Sequence, residues 1–165
     1  RFSIRGGTRP SRHRGIDIGA PPGTPILAAA NGKVLATEDV TCIGETILID
    51  HGKGIHGHKM YAFYTHLGRS TVSREEYVKR GQSLGMMGNI NETPSCAFGY
   101  PHLDFSVFKT YNGPKGQPGD RHRFDIDGLT NPHYLWANGL GQITCFHPSL
   151  IFQEGTLTYP VQCNF

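Results

Sequence analysis

Lys59-Met-Tyr-Ala-Phe-Tyr-Thr-His-Leu67, following Glu45-Thr-Ile-Leu-Ile-Asp50 across a Gly- and His-rich stretch at 51–58, sets the fold class. Both runs are short, apolar and rich in β-branched or aromatic residues, so they read as two strands around a turn, paired antiparallel. The same signals recur outward from this pair. Thr24 to Thr37 alternates around Asn31-Gly32, which predicts two strands joined by a tight hairpin. Ile16 and Ile18 flank Asp17 in a short strand, and Gln82–Gly88 and Leu103–Lys109 complete the set. Ser73-Arg-Glu-Glu76 has the capping-box form and predicts one helical turn to about Arg80, ended by Gly81. From Thr110 onward Gly, Pro and Asn with scattered aromatics, Trp136 among them, read as an irregular extension packed on the body formed by residues 1–109.

The 165 residues, 37% hydrophobic, suffice for one substantial core and favour a single domain. Twenty-two Gly and eleven Pro fit strands and loops better than helices. The net charge of +3 is spread along the chain apart from Arg5, Arg9, Arg12 and Arg14, too weak a cluster to argue for nucleic acid. No run approaches the ~20 apolar residues of a membrane helix, so no transmembrane segment is expected in this chain. Cys42, Cys96, Cys145 and Cys163 contain no Cys-x-x-Cys pair. Two disulfides are permitted, in three connectivities, with buried free thiols as the alternative; Cys145 with Cys163 is the favoured pair because it would pin the C-terminal end, and bridges would place the chain in an oxidising compartment.

His13 and Asp17 stand four apart across Gly15, half of a metal site in residue type. Full extension would separate their Cα atoms by about 13 Å, so a kink at Gly15 is needed to close them on one ion. His102-Leu-Asp104 puts an imidazole and a carboxylate on one strand face with Leu103 pointing to the core, and Tyr64 and His66 have the same i, i+2 relation. Three protein ligands plus water is the usual arrangement of a catalytic zinc.

In this order the elements resemble those of the lysostaphin-type (LytM-like) zinc metallopeptidases over about residues 10 to 109. The resemblance rests on His13-x-x-x-Asp17, Gly23-Thr-Pro-Ile-Leu-Ala28, Asn31-Gly32-Lys-Val34, Tyr64-x-His66-Leu67, Gly81-Gln-x-Leu-Gly85 and His102-x-Asp104, the last departing from the family's His-x-His. It implies an antiparallel sheet folded over a substrate groove and a zinc-dependent endopeptidase acting on peptidoglycan peptides in the periplasm or outside the cell. It also implies zinc ligands at His13, Asp17 and Asp104, with His66 and His102 catalytic. Tyr64 is a weaker candidate for a substrate or oxyanion contact. Asp in place of His adds a second anion to the ligand set and makes the metal a weaker Lewis acid. Alternatively His102 is the third ligand and Asp104 orients it. A rival reading of the same fold is a catalytically silent domain that binds wall polymer or regulates a wall amidase.

Ordinary readings stand beside these. His66 and His102 have a use as satisfied core histidines, and Tyr64 as packing with one hydrogen bond. His51, His56 and His58 look like a second metal cluster, but their Gly- and Lys-rich surroundings favour a solvated loop.

Overall fold

The computed structural model describes residues 15–89, 100–120 and 123–163. His13, Arg12, Arg14, Cys96 and His122 lie outside them. Among the described residues nine strands form one antiparallel sheet: β1 (Ile16–Gly19), β2 (Pro25–Leu27), β3 (Gly32–Val40), β4 (Gly44–Lys53), β5 (Lys59–Ser70), β6 (Tyr77–Val78), β7 (Ser83–Met87), β8 (His102–Pro114) and β9 (Phe124–Thr130). The main path runs β1-β8-β5-β4-β3-β6; β7 joins β2 to β5, and β9 pairs with β8. The helical content among the described residues is one 3-10 turn, Pro132–Tyr134, capped by the Asn131 side chain.

The central pair forms as its pattern dictates, with Ile47 opposite Tyr64, Leu48 opposite Phe63 and Ile49 opposite Ala62. One sheet face carries Ile16, Ile18, Ile47, Ile49, Ala62, Tyr64, Leu103 and Phe105 into the main core. The other carries Leu48, Phe63 and Phe108 into a smaller cluster, with Phe124 and Ile126 packed against it. Both faces of the central strands are therefore apolar, which explains why these runs read as nearly continuous hydrophobic stretches.

Three expectations are corrected. Asn31-Gly32 does not turn a hairpin: β2 pairs with β7, and β3 with β4 and β6. Gly32 is required instead by close approach, since a Cβ there would lie 2.6 Å from the Asp50 carbonyl oxygen and 2.7 Å from His51 Nδ1. The 73–80 segment is a turn and a short strand. Glu76 Oε2 does accept from the Ser73 N–H at 2.9 Å, as in a capping box. The Glu75 N–H, however, is given to the Val34 carbonyl and the Glu76 carbonyl to the Val34 N–H, so β3 takes the groups a helix would use. Third, the backbone after Thr110 is not irregular throughout: β8 runs to Pro114 and pairs with β9, and irregular structure begins at about 131.

The C-terminal segment completes the core. Leu135, Trp136, Leu157 and Val161 are buried in the main cluster, Ile26 bridges to Val161 and Trp136 to Leu157, and Trp136 donates to His133 Nδ1 at 3.1 Å. The expected Cys145–Cys163 disulfide is present, spanning 18 residues, a closure worth about 3 kcal/mol. Cys42 is disulfide-bonded as well.

Candidate functional site

Pairing of β1 with β8 brings three of the predicted residues together. Asp17 stands directly opposite Asp104, and Gly19 opposite His102. Flanking Ile16, Ile18, Leu103 and Phe105 point into the core, so alternation turns both carboxylates to the groove face. Two anions in directly opposed positions repel unless a cation or proton lies between them. The Oδ1 atoms of both are shut off from solvent. Gly15 makes this possible, because a Cβ there would overlap the Asp104 carboxylate and the Phe105 carbonyl.

His66 reaches the same face by a different device. Between the pairs Ile47–Tyr64 and Glu45–Leu67, β5 supplies two residues, Thr65 and His66, against one of β4. This is a β-bulge, and His66 sits in the left-handed region at φ +67°. Strict alternation would put His66 in the core with Tyr64; the extra residue turns it outward and returns Leu67 to the core. Such a conformation in a non-glycine residue costs of order 1–3 kcal/mol and is held by its surroundings. His66 Nδ1 donates to the Ile43 carbonyl at 2.6 Å and His102 Nδ1 to the Tyr100 carbonyl at 2.9 Å. Since a carbonyl only accepts, both rings carry their neutral-state proton on Nδ1 and keep Nε2 as a lone pair. The ring centroids are 4.8 Å apart, and His102 Nε2 lies 3.6 Å from Asp17 Oδ1.

Tyr64 does not join them. It is wholly buried on the opposite face, where its hydroxyl accepts from the Ala29 N–H at 3.0 Å and meets His51 Nε2 at 2.9 Å. The bulge is the reason the i, i+2 relation fails. His51 is correspondingly no loop residue: it lies buried in β4, and its Nδ1 donates to the Asn31 carbonyl at 2.9 Å. Burial lowers its pKa to about 4. An unfolded chain protonates this histidine near pH 6.5, so stability is lost as the pH falls from about 6.5 and the loss levels off below about 4, amounting to about 3 kcal/mol. Denaturant titrations should show this slope in the parent and not in His51→Gln.

Beside Asp104 and His66 lies a depression of about 420 Å³, lined by Phe63, Thr65 and Ser106 and, from the β8–β9 hairpin, Lys115, Phe124 and Asp125. The hairpin is anchored to β3 by Arg123, whose Nε donates to both oxygens of Glu38 at 3.1 and 3.2 Å. Thr65, Ser106 and the Ile43 carbonyl were not anticipated. Ser106 follows Asp104 by two on one strand and was legible from that spacing; the hairpin residues carry no periodic signal.

The donor set suits a divalent cation in chemistry: two carboxylates face each other, and an imidazole lone pair is aimed at one of them. Among the described residues no three His, Cys, Asp or Glu side chains group as a metal centre by themselves; His13, the other expected ligand, lies outside them.

The sequence matches the family described as peptidase family M23 over residues 11–120. It is 29% identical over 99 residues to the peptidoglycan DD-endopeptidase ShyA of Vibrio cholerae, covering 60% of this chain and 21% of that protein. It is 34% identical over 105 residues to ShyC of the same organism, covering 62% and 22%. The chain thus spans about a fifth of the length of these relatives. Among solved structures, the lysostaphin catalytic domain from Staphylococcus simulans aligns with TM-score 0.52 at 26% identity, covering 66% of this chain and 76% of that one. The catalytic domain of the prophage-encoded M23 protein EnpA from Enterococcus faecalis aligns with TM-score 0.51 at 30% identity, covering 69% and 79%.

Proposed function

Because this chain belongs to peptidase family M23, we propose that it is a zinc-dependent endopeptidase hydrolysing peptide bonds of bacterial cell-wall peptidoglycan. The observation that carries the reading is the convergence on one sheet face of Asp17, Asp104, His102 and His66, from three strands and a bulge. His13, Asp17 and Asp104 would hold the ion. When bound, zinc supplies Lewis-acid stabilisation of the charge that develops on the scissile carbonyl. The chain's own residues do the rest. With Nδ1 fixed on a carbonyl, Nε2 of His66 or His102 can take a proton from the attacking water as its oxygen bonds to the scissile carbon; the protonated ring then donates to the oxyanion and delivers the proton to the departing amine as the C–N bond breaks. The depression beside them, walled by the β8–β9 hairpin, receives the peptide. Disulfides at Cys42 and at Cys145–Cys163 support a periplasmic or secreted location, and no helix among the described residues is long and apolar enough to cross a membrane.

Elemental analysis of the purified chain should find one zinc. Release of new amino termini from purified peptidoglycan should stop with chelator and return with zinc. Stoichiometric zinc with no hydrolysis would instead favour a silent wall-binding domain, and a chain that takes up no zinc would end the proposal.

A further inference from the structure

A second cavity, of about 500 Å³, lies between the β4–β5 turn, β8 and the C-terminal segment. Its strand residues Met60 and Val107 face the main core, on the opposite side of the sheet from Asp104. It therefore belongs to a different surface from the candidate active site. The volume is in the range of small-molecule sites. Met60, Val107 and Leu135 form a buried floor, while Ile55, Tyr134 and Leu140 stand at the mouth, exposed by 42%, 53% and 70%.

The cavity is already built. His56 Nε2 donates to the Tyr134 carbonyl at 3.0 Å, and the Ile55 N–H donates to the Gly155 carbonyl at 3.0 Å. Gly155 has φ +74°, and a Cβ there would lie 2.8 Å from the Ile55 nitrogen, so glycine is what lets the C-terminal segment seat on this turn. The turn and the C-terminal segment are thus joined by two hydrogen bonds, one from a side chain and one between backbones.

Its titratable lining is basic. Among the described residues, every charged or titratable side chain lining the cavity, other than the tyrosine, is a base: His56, His58, Lys59 and Lys109, with no carboxylate. Lys59 is committed to Asp50 at 2.7 Å. An apolar floor under a basic mouth complements one kind of molecule. We propose that this cavity is a binding site for an anionic amphiphile, an aliphatic carboxylate whose chain lies on Met60, Val107 and Leu135 and whose head group meets Lys109. It does not depend on the peptidase reading, since neither zinc nor hydrolysis enters it.

Titration calorimetry of the full chain at low salt, with decanoate and with decyltrimethylammonium as monomers, tests the proposal. Decanoate should bind saturably and at least about tenfold more tightly than the cation. Lys109→Glu and Leu140→Glu, both at exposed positions, should each weaken decanoate by about tenfold while leaving the unfolding temperature in place. Equal affinity for the two amphiphiles, no saturable decanoate binding, or variants that bind like the parent would overturn it.

Discussion

His66→Ala is expected to reduce kcat for peptidoglycan hydrolysis by about 10²- to 10⁴-fold, with little change in zinc content. The size follows from losing a positioned proton-transfer group. Unchanged zinc follows from geometry, because His66 is carried by β5 and its bulge, whereas Asp17 and Asp104 are held by β1 and β8. The left-handed backbone at φ +67° costs an alanine at position 66 much as it costs the histidine, and a glycine nothing. The glycine variant should therefore be as inactive as the alanine variant but unfold at a higher temperature. Loss of zinc together with activity in His66→Ala would show that this histidine is a ligand and that the assignment of roles is wrong.

The second large effect falls on metal uptake. Asp104→Asn should weaken zinc binding by more than the about 10- to 100-fold typical of residues that merely support a ligand. Equilibrium dialysis against zinc would measure the loss. If Asp104→Asn takes up zinc like the parent, the carboxylate is a structural group tied to its neighbours and not a ligand. Asp104→His is the companion: it restores the residue type of the family pattern, and both zinc affinity and turnover should rise.

The elements legible in the sequence were those whose pairing is set by their own alternation. β4 and β5 lie where their β-branched and aromatic residues put them, and their register follows from apolar side chains that must meet. Asp17 with Asp104, and His102 beside them, were likewise readable, because isoleucine in β1 and leucine and phenylalanine at the start of β8 take the core positions and leave the polar residues facing out. What failed was context. Gly32 carried a hairpin signal but serves close approach to β4, and the Ser73–Glu76 hydrogen bond formed without its helix because β3 competes for the same backbone. Tyr64 was misplaced by a single inserted residue. A bulge has no periodicity of its own; its sign here is a buried leucine, Leu67, one position too late for alternation.

The late arrival of the core's last pieces bears on how the chain is made. Leu157 and Val161, near the end of the sequence, fill the same cluster as Ile16, Ile18 and Ile26 near its start. The Thr158 N–H donates to the Ala29 carbonyl and the Leu27 N–H to the Pro160 carbonyl, each 2.8 Å long. A growing chain emerging from the ribosome or a translocation pore thus has β4 and β5 available early but cannot close its hydrophobic interior until residue 161 is out. Through that interval its apolar strands stay open to wrong partners, and a chaperone holding the nascent polypeptide would act on this stretch of its life.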